Sequence, residues 1–339
     1  MVLMQEILTS DSQNLKKNLI INNLLKNPEK FFDIKRSYAA IADASLAFLT
    51  DTKIFQSNFT KIKSSVEKLN FEIFAITLGT DHRLKSFTNH YNFYRNFDFY
   101  YGVNGHDPSF SPSDFEYFEN KKHNAGEGGP GAMACALSHI NLYKKLLNSS
   151  KDFYVIFEDD AIMFDYSDKL LQVLISSINL DMDLIHINGR AASYVYLNAY
   201  FDGSNFCGVT DSLLLSKSDL DKFIIKNIEK MPKHTGKFRH KHKDAPYVLS
   251  GMDAYIITRK GAKKILEFLH SDDYKKRCYR LRIDDLILRL SASKKDNLVK
   301  GFVYETPYLD SYVSKYPVAE HGQKISMNLR SDIHFFNKA

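Results

Sequence analysis

Hydrophobic and polar positions along the chain fall into two textures. Over residues 1–70 the apolar side chains recur at helical spacing. Leu15, Leu19, Leu24 and Leu25 are interleaved with Lys16, Lys17, Asn22, Asn23 and Lys26, which lines one stripe of a helix with leucine. Asn27-Pro28 interrupts the pattern. An Ala-rich helical stretch from Tyr38 to Leu49 and another from about Ile54 to Leu69 follow. The expectation is an added helical N-terminal region. It serves either as a subdomain packed on the rest or as a basic amphipathic surface on a membrane, and the scattered Asp and Glu residues count against the second.

At Phe71 the pattern changes. Phe71 to Leu78 is a near-continuous run of β-formers that ends at Gly79, the mark of a buried strand and turn. Asp81–Tyr91 reads as helix, and Phe97–Val103 as a second strand closed by Asn104-Gly105. A loop rich in Gly, Pro and Ser leads through Gly126-Glu127-Gly128-Gly129-Pro130-Gly131 into a predicted helix over Ala132–Leu147. Phe153–Phe157 reads as strand, Leu170–Ile178 as helix and Leu184–Ile187 as strand. Strands alternating with helices over short connections predict an α/β sheet that is at least partly parallel. No repeat and no long low-complexity linker divides residues 71–339, so they are expected to form one domain after the helical residues 1–70.

Composition narrows the field only slightly. The chain has 339 residues, of which 44% are hydrophobic and 25% charged, enough to bury a large core. The three cysteines, Cys135, Cys207 and Cys278, are far apart and form no CxxC, so neither a disulfide framework nor a cysteine-based zinc site is expected. Residues Met1 to Gln13 lack the pattern of a signal peptide, and no stretch has the ~18 apolar residues of a membrane span. A cytoplasmic protein is expected, meeting the anionic inner membrane, if at all, from its surface. The net charge of +6 is mild and calls for no nucleic acid. Lys230–Lys243, with six basic residues and His234, His240 and His242, reads as a basic loop that could close over a diphosphate or touch anionic lipid. No acidic or cysteine partner there supports a zinc site.

The sharpest chemical feature is Glu158-Asp159-Asp160, directly after the apolar strand. Ligands of open α/β sheets bind beyond the carboxyl ends of the strands. Three adjacent carboxylates repel one another unless water or a cation screens them. Alternation along an extended segment lets Glu158 and Asp160 face one site, and hard oxygen ligands suit Mn²⁺ or Mg²⁺ with substrate phosphates completing the shell. A solvated acidic turn is the plainer alternative.

Several segments together resemble glycosyltransferase family 25. They are Gly131 to Tyr143, containing Cys135-Ala-Leu-Ser138-His139, and Tyr154 to Ala161, ending in Glu158-Asp159-Asp160-Ala161. Ile76-Thr77-Leu78 with Arg83, Tyr101-Gly102-Val103-Asn104-Gly105, Ser250 to Ala262, and Arg282-Ile283-Asp284 extend the likeness over roughly residues 72–335. Asn104, Thr77 and Ala134 stand where the family has Asp, Asn and Gly, and Asp253 adds an acid at a usually neutral position.

The resemblance implies a GT-A-like, Rossmann-type mixed sheet flanked by helices, and a UDP-sugar as donor. It also implies inverting transfer of a hexose, galactose in the first instance, to a saccharide acceptor. The expected acceptor is lipid-linked, in lipooligosaccharide biosynthesis. Glu158 and Asp160 are then the expected metal ligands. Ile76, Thr77, Leu78, Arg83, Asn104, Gly105, Ser138, His139 and Asp159 are the expected donor-binding residues. Asp284, which matches the family position, Asp253 and Asp285 are candidates for the base that takes the acceptor's proton. Plainer roles stand beside these: a surface ion pair for Arg83, a buried helix-fixing pair for Ser138 and His139, and a helix N-cap for Asp284. Two rival classes remain. A metal-dependent nucleotidyl- or phosphotransferase could use the same acids but lacks a Walker-type loop. A non-enzymatic saccharide- or nucleic-acid-binding protein would rest on the basic loop alone.

Overall fold

The computed structural model describes residues 59–111, 129–189, 213–218, 251–277, 282–291 and 306–321. The predicted helices before residue 59 and the basic loop Lys230–Lys243 lie outside them. In chain order the helices are α1 (Phe59–Glu67), α2 (Asp81–His90), α3 (Gly129–Asn148), α4 (Ser167–Ser176), α5 (Arg259–Leu269), α6 (Asp272–Arg277) and α7 (Ile283–Leu290). The strands are β1 (Phe71–Thr77), β2 (Asp98–Tyr101), β3 (Phe153–Glu158), β4 (Ala161–Met163), β5 (Leu184–His186), β6 (Leu214–Ser216), β7 (Ala254–Thr258), β8 (Ser311–Ser314) and β9 (Ala319–His321).

Among the described residues seven strands form one mixed sheet in the order β2-β1-β3-β7-β5-β8-β6, and β4 pairs with β9 in a small second sheet. β2, β1 and β3 run parallel, whereas β7 enters antiparallel between β3 and β5. The mixed α/β architecture flanked by helices is the expected one.

The sheet is buried on both faces, and the period of two divides its side chains between two cores. Ile73, Ala75, Val155, Phe157, Ala254 and Ile256 meet Phe87 of α2, Val66 of α1 and the leucines of α4. Phe74, Ile76, Tyr154, Ile156, Tyr255 and Ile257 meet α3, α5 and α7. α1 therefore belongs to the same core as the sheet, although it precedes residue 71.

Two devices hold the frame. Thr258 ends β7 and caps α5, its side chain accepting from the Gly261 amide. Arg259 reaches across to donate to the Leu146, Leu147 and Ser149 carbonyls at the end of α3, where a cation suits both the carbonyls of the last turn and the helix dipole.

Element boundaries shift by a few residues from those expected. The strand read as Phe97–Val103 covers Asp98–Tyr101, and the helix read from Leu170 begins at Ser167. There the Ser167 hydroxyl accepts from the Phe164 amide and donates to the Val318 carbonyl. The helix for which Asp284 is an expected N-cap starts at Ile283. Arg282 occupies its N-cap, so Asp284 sits inside the first turn and is not the capping residue.

Candidate active site

The carboxyl ends of β1, β2 and β3 and one side of α3 enclose a cleft of about 610 Å³, open space at its mouth included. Ile76, Thr77, Leu78 and Arg83 line it from β1 and the start of α2. Val103, Gly105 and His106 line it from beyond β2, Cys135 and Ser138 from α3, and all three acids of the triplet from β3.

Backbone pairing fixes the floor. The Asp159 amide donates to the Ile76 carbonyl, the Glu158 amide to the Asp253 carbonyl, and the Gly102 amide to the Thr77 carbonyl. Ser138 ties α3 to the second loop: its hydroxyl donates to the Ala134 carbonyl and accepts from the Val103 amide. The approach requires glycine at two places. A Cβ on Gly102 would lie 2.6 Å from the Ser138 hydroxyl, and one on Gly105 would lie 2.3 Å from the Pro130 carbonyl oxygen. Asn104 is exposed at the tip, its side chain accepting from the His106 amide in a local turn.

The three acids have different surroundings. Asp159 is buried, with both oxygens engaged: Oδ2 accepts from Thr77 Oγ1 at 2.6 Å and Oδ1 from Arg83 Nη1 at 2.6 Å. Arg83 is itself buried, and its second terminal nitrogen is 3.7 Å from Asp160. Burial nevertheless pushes the Asp159 carboxyl up, against the opposing pull of Arg83 and Thr77. Asp160 is buried too, and burial pushes it up to about 6, with His321 pulling it down and Glu158 pushing it further up. Glu158 is half-buried and faces the cleft.

His321, which the sequence did not single out, completes this group. β9 pairs with β4 so that His321 lies opposite Ala161, the residue after the triplet. Its Nε2 is 3.2 Å from Asp160 Oδ2, and ligand atoms of Glu158, Asp160 and His321 all lie within 4.8 Å of one another. Asp160 Oδ1 is buried with no hydrogen-bond partner among the described residues. A buried anionic oxygen without a donor is costly. Two carboxylates, one of them carrying that oxygen, and an imidazole fit a divalent cation of the Mn²⁺ or Mg²⁺ kind.

His139 lies fully buried on α3, Nδ1 at 2.7 Å from the Tyr255 hydroxyl and Nε2 at 3.4 Å from Glu158 Oε1. Tyr143 extends the chain of contacts, its hydroxyl 3.0 Å from that of Tyr255. Burial pushes the Tyr255 phenol well up, so it stays neutral. Cys135, one turn before His139, is also held well above the usual thiol range, first by burial and then by Glu158 and Asp284. Asp284, half-buried in the first turn of α7, stands on the helix that packs against α3 and is not among the residues that line the cleft. Asp253 is buried behind the triplet, with Asn188 Nδ2 at 3.4 Å from Oδ1 and 2.8 Å from the Gly251 carbonyl.

The site therefore joins a carboxylate–imidazole triad able to hold a cation, a buried Arg83–Asp159 anchor and a loop pinned on α3. The family model described as glycosyltransferase family 25, lipopolysaccharide biosynthesis protein, matches residues 52–287. The chain belongs to glycosyltransferase family 25. It is accordingly a glycosyltransferase of lipopolysaccharide biosynthesis. The matched range contains the acidic triplet, Arg83, Asp253 and Asp284, while His321 lies beyond it. A search of curated proteins found no match. Among the described residues no helix is long and apolar enough to cross a membrane.

Proposed function

We propose that this family 25 transferase moves a hexose, galactose in the first instance, from a UDP-sugar to a lipid-linked saccharide acceptor with inversion at the anomeric carbon. The observation that carries the reading is the buried Asp160 Oδ1, without a hydrogen-bond partner among the described residues, set among Glu158 and His321 in the wall of the cleft. Glu158, Asp160 and His321 would hold Mn²⁺ or Mg²⁺, which when bound neutralises charge on the leaving diphosphate.

The chain's own residues supply the rest. Ile76, Thr77 and Leu78 form the wall for the nucleoside, with Leu78 exposed toward solvent as an apolar rim. Asn104 and Gly105 form the opposite lip, held at their distance by Ser138. Arg83 and Asp159 act from beneath: they fix the β1 and β3 ends relative to each other and place positive charge next to Asp160. His139 orients Glu158 from the other side.

Direct attack by an acceptor hydroxyl needs a carboxylate to take its proton as the new bond forms. Asp284 is preferred to Asp253, because it is half-buried rather than inaccessible and its charge acts on Cys135, which lines the cleft. Asp253, nearly inaccessible behind Glu158, suits the positioning of the β7 start. The basic loop Lys230–Lys243 is proposed to meet the anionic inner membrane from the cytoplasmic side, where a lipid-linked acceptor would be presented.

The test is UDP release from UDP-galactose and other UDP-hexoses on addition of a lipooligosaccharide acceptor, with and without EDTA. Acceptor-dependent release that EDTA stops, with inverted configuration in the product, is the expected result. Transfer unaffected by EDTA would remove the cation from the account, and transfer only from donors carrying another nucleotide would remove UDP.

A further inference from the structure

Beyond the hard-cation triad, the cleft floor carries a second group of ligand atoms of different chemistry. Cys135 and His139 are four residues apart on α3 and therefore share one face. Both meet the same carboxylate oxygen, Glu158 Oε1: Cys135 Sγ at 3.8 Å and His139 Nε2 at 3.4 Å. Sulfur, nitrogen and oxygen all lie within 4.8 Å of one another.

We propose that Cys135, His139 and Glu158 form a site for a thiophilic divalent cation, Zn²⁺ in the first instance. Three observations carry it. First, the spacing is that of a coordination shell. With bond lengths of ~2.3 Å to sulfur and ~2.0 Å to nitrogen and oxygen, tetrahedral Zn²⁺ spaces its S and O ligands by about 3.5 Å and its N and O ligands by about 3.3 Å. The measured separations are within about 0.3 Å of these values.

Second, the imidazole is held as metal-bound imidazoles are. Metal-ligating histidines bond their other ring nitrogen to an oxygen that fixes the ring. His139 Nδ1 lies 2.7 Å from the Tyr255 hydroxyl, itself anchored by Tyr143. With Nδ1–H donating to Tyr255, the Nε2 lone pair faces a carboxylate oxygen, an arrangement that a cation between them makes favourable. Third, an ion can reach the group, because Cys135 and Glu158 both line the cleft while His139 closes the inner side.

The thiol proton leaves to solvent as the sulfur–metal bond forms, one proton for each ion bound. Burial and the neighbouring carboxylates hold that thiol protonated without metal, and coordination to a dication overrides this. Soft-ligand chemistry separates this group from the oxygen–imidazole triad of Asp160 and His321, yet Glu158 belongs to both. An ion in the thiolate site draws Glu158 toward α3 and away from Asp160. On the donor reading above, zinc is then an inhibitor that acts from within the cleft.

Cobalt(II) titration of the full chain tests the site without an activity assay, since Co²⁺ bound to thiolate shows a near-ultraviolet charge-transfer absorption. Wild type and Asp160→Asn are expected to develop the band with one equivalent of Co²⁺ and to lose it to Zn²⁺. Cys135→Ser should lack it. Tyr255→Phe, which removes the oxygen that holds His139, should weaken metal affinity by roughly 10–100-fold. A wild-type protein without the band, or a Cys135→Ser protein that retains it through Cys207 or Cys278, overturns the proposal. The inhibitory consequence is read separately, as zinc inhibition in excess Mn²⁺ with each variant scored against its own zinc-free rate. Equal sensitivity of wild type and Cys135→Ser would refute that consequence while leaving the cobalt result to decide the site.

Discussion

Replacing Arg83 by Met should cost more stability than its position on a short surface-connecting helix implies. The Arg83 and Asp159 side chains retain 8% and 5% of their exposure and meet at 2.6 Å. Burial raises the Asp159 carboxyl in spite of that contact, so desolvation exceeds the attraction and the pair adds little net stability as a pair. Breaking it is a different matter. Loss of Arg83 leaves the buried Asp159 carboxylate with the Thr77 hydroxyl as a donor and brings Asp160 a less cationic neighbour. Removing one member of a buried pair typically costs ~3–5 kcal/mol. At ~2–4 °C per kcal/mol for a domain of this order of size, that is roughly 6–20 °C in melting temperature.

Urea unfolding followed by circular dichroism, for Arg83→Met, Asp159→Leu and the double variant, measures the coupling directly. The single variants should shift the midpoint at unchanged slope, and the double variant should lose at least ~1 kcal/mol less than the sum of the two. Single losses below ~1 kcal/mol, or strict additivity, would refute the reasoning and return Arg83 to the role of a ligand-facing charge.

Other expectations follow from the same geometry. Burial lowers His186 to about 3, with Lys217 adding to the effect. The unfolded chain therefore takes up a proton that the fold refuses, and stability present above pH 6.5 is lost as pH falls toward 3. His186→Leu should flatten that acid limb by roughly 2 kcal/mol at pH 5, since each pH unit is worth about 1.4 kcal/mol; parallel urea profiles for the two proteins would contradict it. At saturating donor, Asp284→Asn should reduce transfer by ~10²–10⁴-fold with UDP binding nearly intact. Should Asp253→Asn abolish turnover while Asp284→Asn does not, the two roles are exchanged.

Much of the frame could be read from local sequence because local chemistry determined it. The runs Phe71–Thr77 and Phe153–Phe157 are apolar at successive positions because both faces of the sheet are covered, and the helix from Ala132 onward carries its own apolar stripe. The acidic triplet showed itself by the cost of three adjacent charges. What escaped depends on pairing between distant segments. His321 reaches Asp160 only because β9, three residues long, pairs with β4, and such short strands have little periodicity of their own. The inward turn of Arg83 is equally invisible in sequence, since it depends on Asp159 lying beside the Ile76 carbonyl across the β1–β3 register. The grouping of Cys135, His139 and Glu158 likewise joins a helix face to a strand end, where a search for CxxC finds nothing. Glycines told more: Gly102 and Gly105 mark the close approach of the second loop to α3.

On the proposed function, Asp160 with Glu158 and His321 makes a cation site on which donor binding depends. Titration calorimetry of UDP-galactose in Mn²⁺, for wild type and Asp160→Asn, tests it most directly. Because Asp160 is pushed up to about 6 by burial among other acids, its neutral replacement should leave the fold intact at pH 8. The wild type should bind the donor in Mn²⁺ and lose that binding in EDTA, and folded Asp160→Asn should show no Mn²⁺-dependent heat. Donor binding of equal strength in the two proteins, with and without Mn²⁺, would contradict the account.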